Sequence, residues 1–102
     1  MYAWEQDVPI GPDVHARIME QLGDAYPEGL VAHIAIERED GTLRYVDLWR
    51  SREDCERFTE ERLHPIVGTV LAAAGIRPAG EPPRREVAVV SVWGPGLQPV
   101  AV

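Results

Sequence analysis

Residues 30–53 read LVAHIAIER-EDGT-LRYVDLWR-SRE, and this stretch decides the fold. Leu30 to Arg38 and Leu43 to Arg50 are rich in β-branched and aromatic residues, and Glu39-Asp40-Gly41-Thr42 separates them. Asp-Gly is favoured at the centre of a tight hairpin turn, where both positions take positive φ. The stretch is therefore read as a hairpin. With Asp40 and Gly41 as a two-residue turn, Glu37 stands opposite Arg44, Ile36 opposite Tyr45, Ile34 opposite Asp47 and Ala32 opposite Trp49. The opposite charges of Glu37 and Arg44 support that register. A longer, bulged turn would exchange the faces of one strand.

The hairpin runs directly into a helix start. Ser51 can accept from the free amides of the first turn, and Glu53 and Asp54 suit the positive end of the helix dipole. Cys55, Phe58 and Arg62 share one face of this helix. Pro65 lacks an amide hydrogen and biases His64 away from helical angles, so a break is expected there. A second helical piece, Ile66 to Ala74, stops at Gly75.

On the N-terminal side, Tyr2 to Val8 reads as a strand ending at Pro9. Gly11-Pro12-Asp13 then opens a helix with Val14, Ile18 and Leu22 on one face. On the C-terminal side, Pro78 to Pro83 is a proline-rich connection, and Glu86 to Trp93 is a β-prone closing strand. The expected order is strand, helix, strand, strand, helix, strand. Two β-α-β halves around a hairpin give an α+β, ferredoxin-like βαββαβ fold: a four-stranded antiparallel sheet with helices on one face. Residues 1–94 form this single domain and 95–102 a C-terminal tail.

Composition limits the partners. The 102 residues carry ten Lys and Arg against seventeen Asp and Glu, a formal net charge of -7. Binding phosphates requires clustered cations, so neither a nucleic acid nor an anionic membrane is an expected partner. Cys55 is the single cysteine, so no internal disulfide can form. The start MYAWEQDVPI lacks the basic and apolar pattern of a signal peptide, and no apolar run is long enough to span a bilayer. A soluble, cytoplasmic chain is expected. Val46 and Leu48 leave the outer sheet face apolar, and pairing with a second copy would cover it. A homodimer is the expected state.

Asp47-Leu48-Trp49-Arg50-Ser51-Arg52-Glu53, followed by Phe58, resembles the strand-to-helix signature of the dimeric α+β barrel superfamily. Within it, the stretch is similar to the antibiotic-biosynthesis monooxygenase branch. That resemblance implies dimerisation into an α+β barrel and a cofactor-independent reaction of an aromatic or polyketide-like small molecule with oxygen. It also implies that Trp49 lines a pocket between sheet and helices. The branch carries an asparagine where this chain has Tyr45, and often a tyrosine where it has Cys55. The haem-degrading branch needs a tryptophan or histidine where Phe58 stands, so no haem is expected.

Leu43, Tyr45, Asp47 and Trp49 share one face of their strand because side chains alternate. A carboxylate and a phenol on an apolar face are suited to proton abstraction and oxyanion stabilisation. Asp47, Tyr45 and His33 are the candidate catalytic residues. Trp49, Phe58, Arg62 and His64 are the candidate substrate-binding residues. In the two-residue-turn register His33 points away from Asp47; in the bulged register the two pair as an acid–base couple. The structural alternative ties Asp47 to a backbone amide or to an arginine such as Arg62. His15, His33 and His64 lack the spacing of a metal site, so no metal is expected. Cys55 reads as a small buried hydrophobe. Three functions fit: a cofactor-free monooxygenase, an isomerase, dehydratase or cyclase using the same groups, and a non-catalytic ligand-binding or interaction dimer.

Overall fold

The first strand, β1 (Tyr2–Val8), leads into helix α1 (Pro12–Leu22), with Gly11 at its N-cap and Pro12 in its first turn. Strands β2 (Leu30–Glu37) and β3 (Leu43–Trp49) form the expected hairpin. Helix α2 (Arg52–Phe58) follows, and Ser51 Oγ accepts from Asp54 N–H at 3.2 Å, as its cap position predicts. The computed structural model describes residues 1–77, 79–95 and 97–101. Pro78 of the proline-rich connection, and Gly96 and Val102 of the tail, lie outside the described residues.

The expected break at Pro65 does not occur. The chain passes from α2 through one π-helical turn, Thr59–Leu63, into helix α3 (His64–Ala73), and His64 itself is helical at φ -58°, ψ -45°. Pro65 cannot donate to the carbonyl four residues back, and its ring crowds that carbonyl. The wider π turn places the His64 N–H on Thr59 O instead, so the helix continues.

The sheet has the order β2-β3-β1-β4, with β4 at Arg85–Val87, and every pairing in it is antiparallel. The chain is thus an α+β structure with a four-stranded antiparallel sheet, in an order compatible with the ferredoxin-like arrangement. The expected single closing strand is divided. Val87 pairs with Ala3, so β1 is almost exhausted there and offers little further edge. The chain leaves the sheet, and Ser91–Gly94 (β5) pairs instead with Leu97–Ala101 (β6) in a separate two-stranded sheet.

The hairpin register also differs from the two-residue turn. Glu37 pairs with Leu43, Ile36 with Arg44, Ile34 with Val46 and His33 with Asp47. The connection is Arg38–Thr42, closed by Arg38 N–H on Thr42 O at 2.7 Å. Gly41 takes φ +83°, which favours glycine, and Asp40 Oδ1 accepts from Thr42 N–H at 2.9 Å. Arg44 consequently pairs with Asp7 of β1 at 2.7 Å rather than with Glu37. A bulge between Leu30 and Ala32 returns Leu30 to the face of Trp49. Ala32, Ile34 and Ile36, which the two-residue turn sets opposite Trp49, Asp47 and Tyr45, stand opposite Leu48, Val46 and Arg44 on the outer face instead.

The helices pack on the other face. Ile10, Ile18 of α1 and Val70 and Leu71 of α3 form one buried cluster, with Val8 and Tyr45 against it. Trp4, Trp49 and Cys55 form a second, joined by Tyr2, Leu30, Tyr45 and Phe58. Tyr45 belongs to both, which places its hydroxyl under the start of α1.

Candidate acid–base site

The one-residue change of register brings His33 directly opposite Asp47. Asp47 is 6% exposed, and its carboxylate is held on both oxygens. Oδ1 is hydrogen-bonded with His33 Nδ1, and Oδ2 accepts from Trp49 Nε1–H at 3.0 Å. A buried carboxylate needs such partners, because desolvation without them is costly. Among the described residues, neither a backbone amide nor Arg62 supplies them. The side chain of His33 is 23% exposed, so the imidazole is the accessible end of the pair. Ala35, opposite Tyr45 on the same edge strand, is exposed.

Tyr45 extends the group. Its ring lies 4.8 Å from that of His33, edge-on at 65°. Its hydroxyl is 2.7 Å from Nδ1 of His15, in the first turns of α1. Burial, with the Asp47 charge adding to it, pushes the phenol up to about 12. It is therefore a neutral donor at ordinary pH. Burial, with a smaller contribution from His33, pushes His15 below the usual imidazole range. The His15 and His33 rings stack at 5.9 Å, 24° from parallel.

His15 is the residue that sequence reasoning missed. It lies three before Ile18 and seven before Leu22, on the inward stripe of α1, and that spacing is the signal that places it over the sheet.

The four expected substrate-binding residues are distributed differently. Trp49 is 1% exposed, and Phe58 packs on it at 5.6 Å, so the two fill the space beneath the dyad instead of lining an open cavity there. Arg62 donates to Leu22 O at 2.9 Å and lies over the Phe58 ring at 5.5 Å. A cation at the carbonyl end of α1 is favoured by the helix dipole, and that contact occupies it. His64 faces Glu81 at 3.3 Å and is about half exposed. The continuous helix turns it outward, so it does not join His33 and Tyr45.

Cys55 is fully buried. Its sulfur accepts from Trp4 Nε1–H at 3.4 Å and from Arg84 Nη1–H at 3.7 Å, while the Arg84 guanidinium lies 4.2 Å over the Trp4 ring. This cluster ties β1, α2 and the segment before β4 together. Among the described residues, no group of three or more His, Cys, Asp or Glu side chains is placed to hold a metal ion. No helix of the described residues is long and apolar enough to cross a membrane. No protein-family model matches the chain, and no curated protein does either.

Proposed function

We infer that this chain is a small-molecule enzyme that abstracts a proton and stabilises the resulting oxyanion, in the manner of the cofactor-independent antibiotic-biosynthesis-type monooxygenases it resembles. The Asp47 carboxylate held between Trp49 Nε1 and His33 Nδ1 carries this reading. A carboxylate on Nδ1 fixes the tautomer and leaves the lone pair on Nε2, the arrangement of an oriented general base. His33 removes the proton, and Asp47 orients it. Tyr45, whose phenol is pushed up to about 12, donates to the developing oxyanion. Trp49 against Phe58 is the apolar wall behind them.

The substrate is an aromatic or polyketide-like molecule with an acidic C–H beside an oxygen, and its carbanion reacts directly with dioxygen. The 4.8 Å separation of the His33 and Tyr45 rings also favours a second reading. Two proton-handling groups on one small area can remove a proton and return one elsewhere, as isomerisation, dehydration or cyclisation requires. Turnover of a panel of phenolic and polyketide-like compounds under labelled dioxygen separates the two. Label in the product supports the oxygenase, and turnover without label supports the second reading. No turnover, with Asp47→Asn and Tyr45→Phe changing stability alone, leaves a non-catalytic dimer.

The reading includes a homodimer in the cytoplasm, built over the outer sheet face. Ile34 and Ile36 are 51% and 46% exposed there, on the face that also carries Ala32, Val46 and Leu48. The Asp7–Arg44 and Glu5–Arg85 pairs flank them. Covering such apolar area is favourable at about 25 cal/mol per Å². Sedimentation at micromolar concentration tests it, and a monomer would contradict it.

A further inference from the structure

We propose that His15 is the positioning residue for Tyr45, fixing the phenol beside His33 and governing where its proton points. This rests on the acid–base reading above, to which it adds a residue from the first helix.

His15 is the partner of the Tyr45 hydroxyl, at 2.7 Å, and the contact joins residues 30 positions apart. The three rings of His15, Tyr45 and His33 are mutually close, with centroids 4.8 to 5.9 Å apart. Removing the imidazole would leave the phenol without this hydrogen-bond partner, and with the His33 ring against only one of its sides. His15 is only partly buried, so water reaches it. As a neutral ring it has one N–H and one lone pair. Before substrate binds, the tautomer with its proton on Nε2 lets Nδ1 accept the phenol proton. A charged oxyanion is the stronger acceptor, so its arrival turns that proton outward. His15 then presents Nδ1–H to the phenol oxygen. The tautomer change is balanced: Nε2 gives one proton to water and Nδ1 takes one from water.

The probe is 5-nitrobenzisoxazole. Its ring C–H gives a proton to the base, the freed electron pair completes a nitrile, and the N–O bond breaks to leave a phenolate oxygen. Turnover abolished by His33→Ala supports the underlying reading. His15→Phe, which keeps an aromatic ring, should lower kcat about tenfold with KM little changed, as Tyr45→Phe should. The double variant should be no slower than Tyr45→Phe alone, because both act through one donor. If His15→Phe keeps kcat within about twofold while His33→Ala abolishes turnover, the assignment of His15 is overturned and the base survives. If the wild-type chain does not exceed free imidazole, the base reading falls. His15 is then decided by its nitrogen resonances: Tyr45→Phe should shift Nδ1, and an unchanged Nδ1 overturns the contact.

Discussion

His33 on β2 and Asp47 on β3 face each other across the sheet, joined through Nδ1 and Oδ1, and the second carboxylate oxygen is taken by Trp49 Nε1–H at 3.0 Å. The carboxylate is thus fixed by a core tryptophan on one side and presented to a partly exposed imidazole on the other.

Asp47→Asn should lower unfolding free energy by about 1–3 kcal/mol, because it removes charge from two hydrogen bonds and leaves one donor pair mismatched. Asp47→Leu should cost more, since it strands the buried Trp49 N–H. Urea denaturation of the two variants measures the difference. Equal stability of all three chains would contradict the described role of the carboxylate.

Alkali should weaken the fold before it ionises the site. Tyr45 is pushed up from 10 to about 12, so the native state holds its proton more tightly than the unfolded chain does. Stability from this residue is complete below pH 10 and declines as the pH rises towards 12. The loss is about 1–2 kcal/mol after allowance for partial exposure. Tyr45→Phe should remove that part of the decline in a pH series of denaturation curves.

Acid acts on His15 in the opposite sense. Its folded value is depressed, chiefly by burial, so its contribution is complete above the ordinary value of 6.5 and is lost as the pH falls through that value towards the folded one. His15→Phe should flatten stability in this window. Denaturation at successive pH values checks it, and an unchanged slope would contradict the burial of the imidazole.

The turn is a separate test of register. Gly41→Ala forces a side chain into φ +83° and should cost about 1 kcal/mol. Asp40→Ala removes the acceptor of Thr42 N–H and should cost up to about 1 kcal/mol. In the two-residue turn Asp40 is a central residue with no such role. Gly41 takes positive φ in either turn, so the cost of Asp40→Ala, read by thermal or urea denaturation, is what decides between them.

The order of elements was legible in the sequence because its signals are local. Gly11-Pro12-Asp13 starts α1, Ser51 caps α2, and Asp40-Gly41 marks the hairpin. The pairing of His33 with Asp47 was legible only as the outcome of one of two registers, because it depends on one residue of turn length. The opposite charges of Glu37 and Arg44 suggested the shorter turn, yet Arg44 finds Asp7 across β1, a contact that lies 37 residues away in sequence. The continuity of the helix through Pro65 was hidden for a similar reason. A proline forbids one hydrogen bond, and nothing local says that a π turn will supply another. The end of the last strand depended on where β1 runs out beside it.

The most direct test of the acid–base claim is the tautomer of His33, read from its two nitrogen resonances. The proton is expected on Nδ1, hydrogen-bonded to Asp47, which leaves Nε2 to act as the base. Replacing Asp47 with Asn should disturb that tautomer. A ring protonated on Nε2, in the wild-type chain and unaffected by Asp47→Asn, would contradict the assignment of His33 as the base.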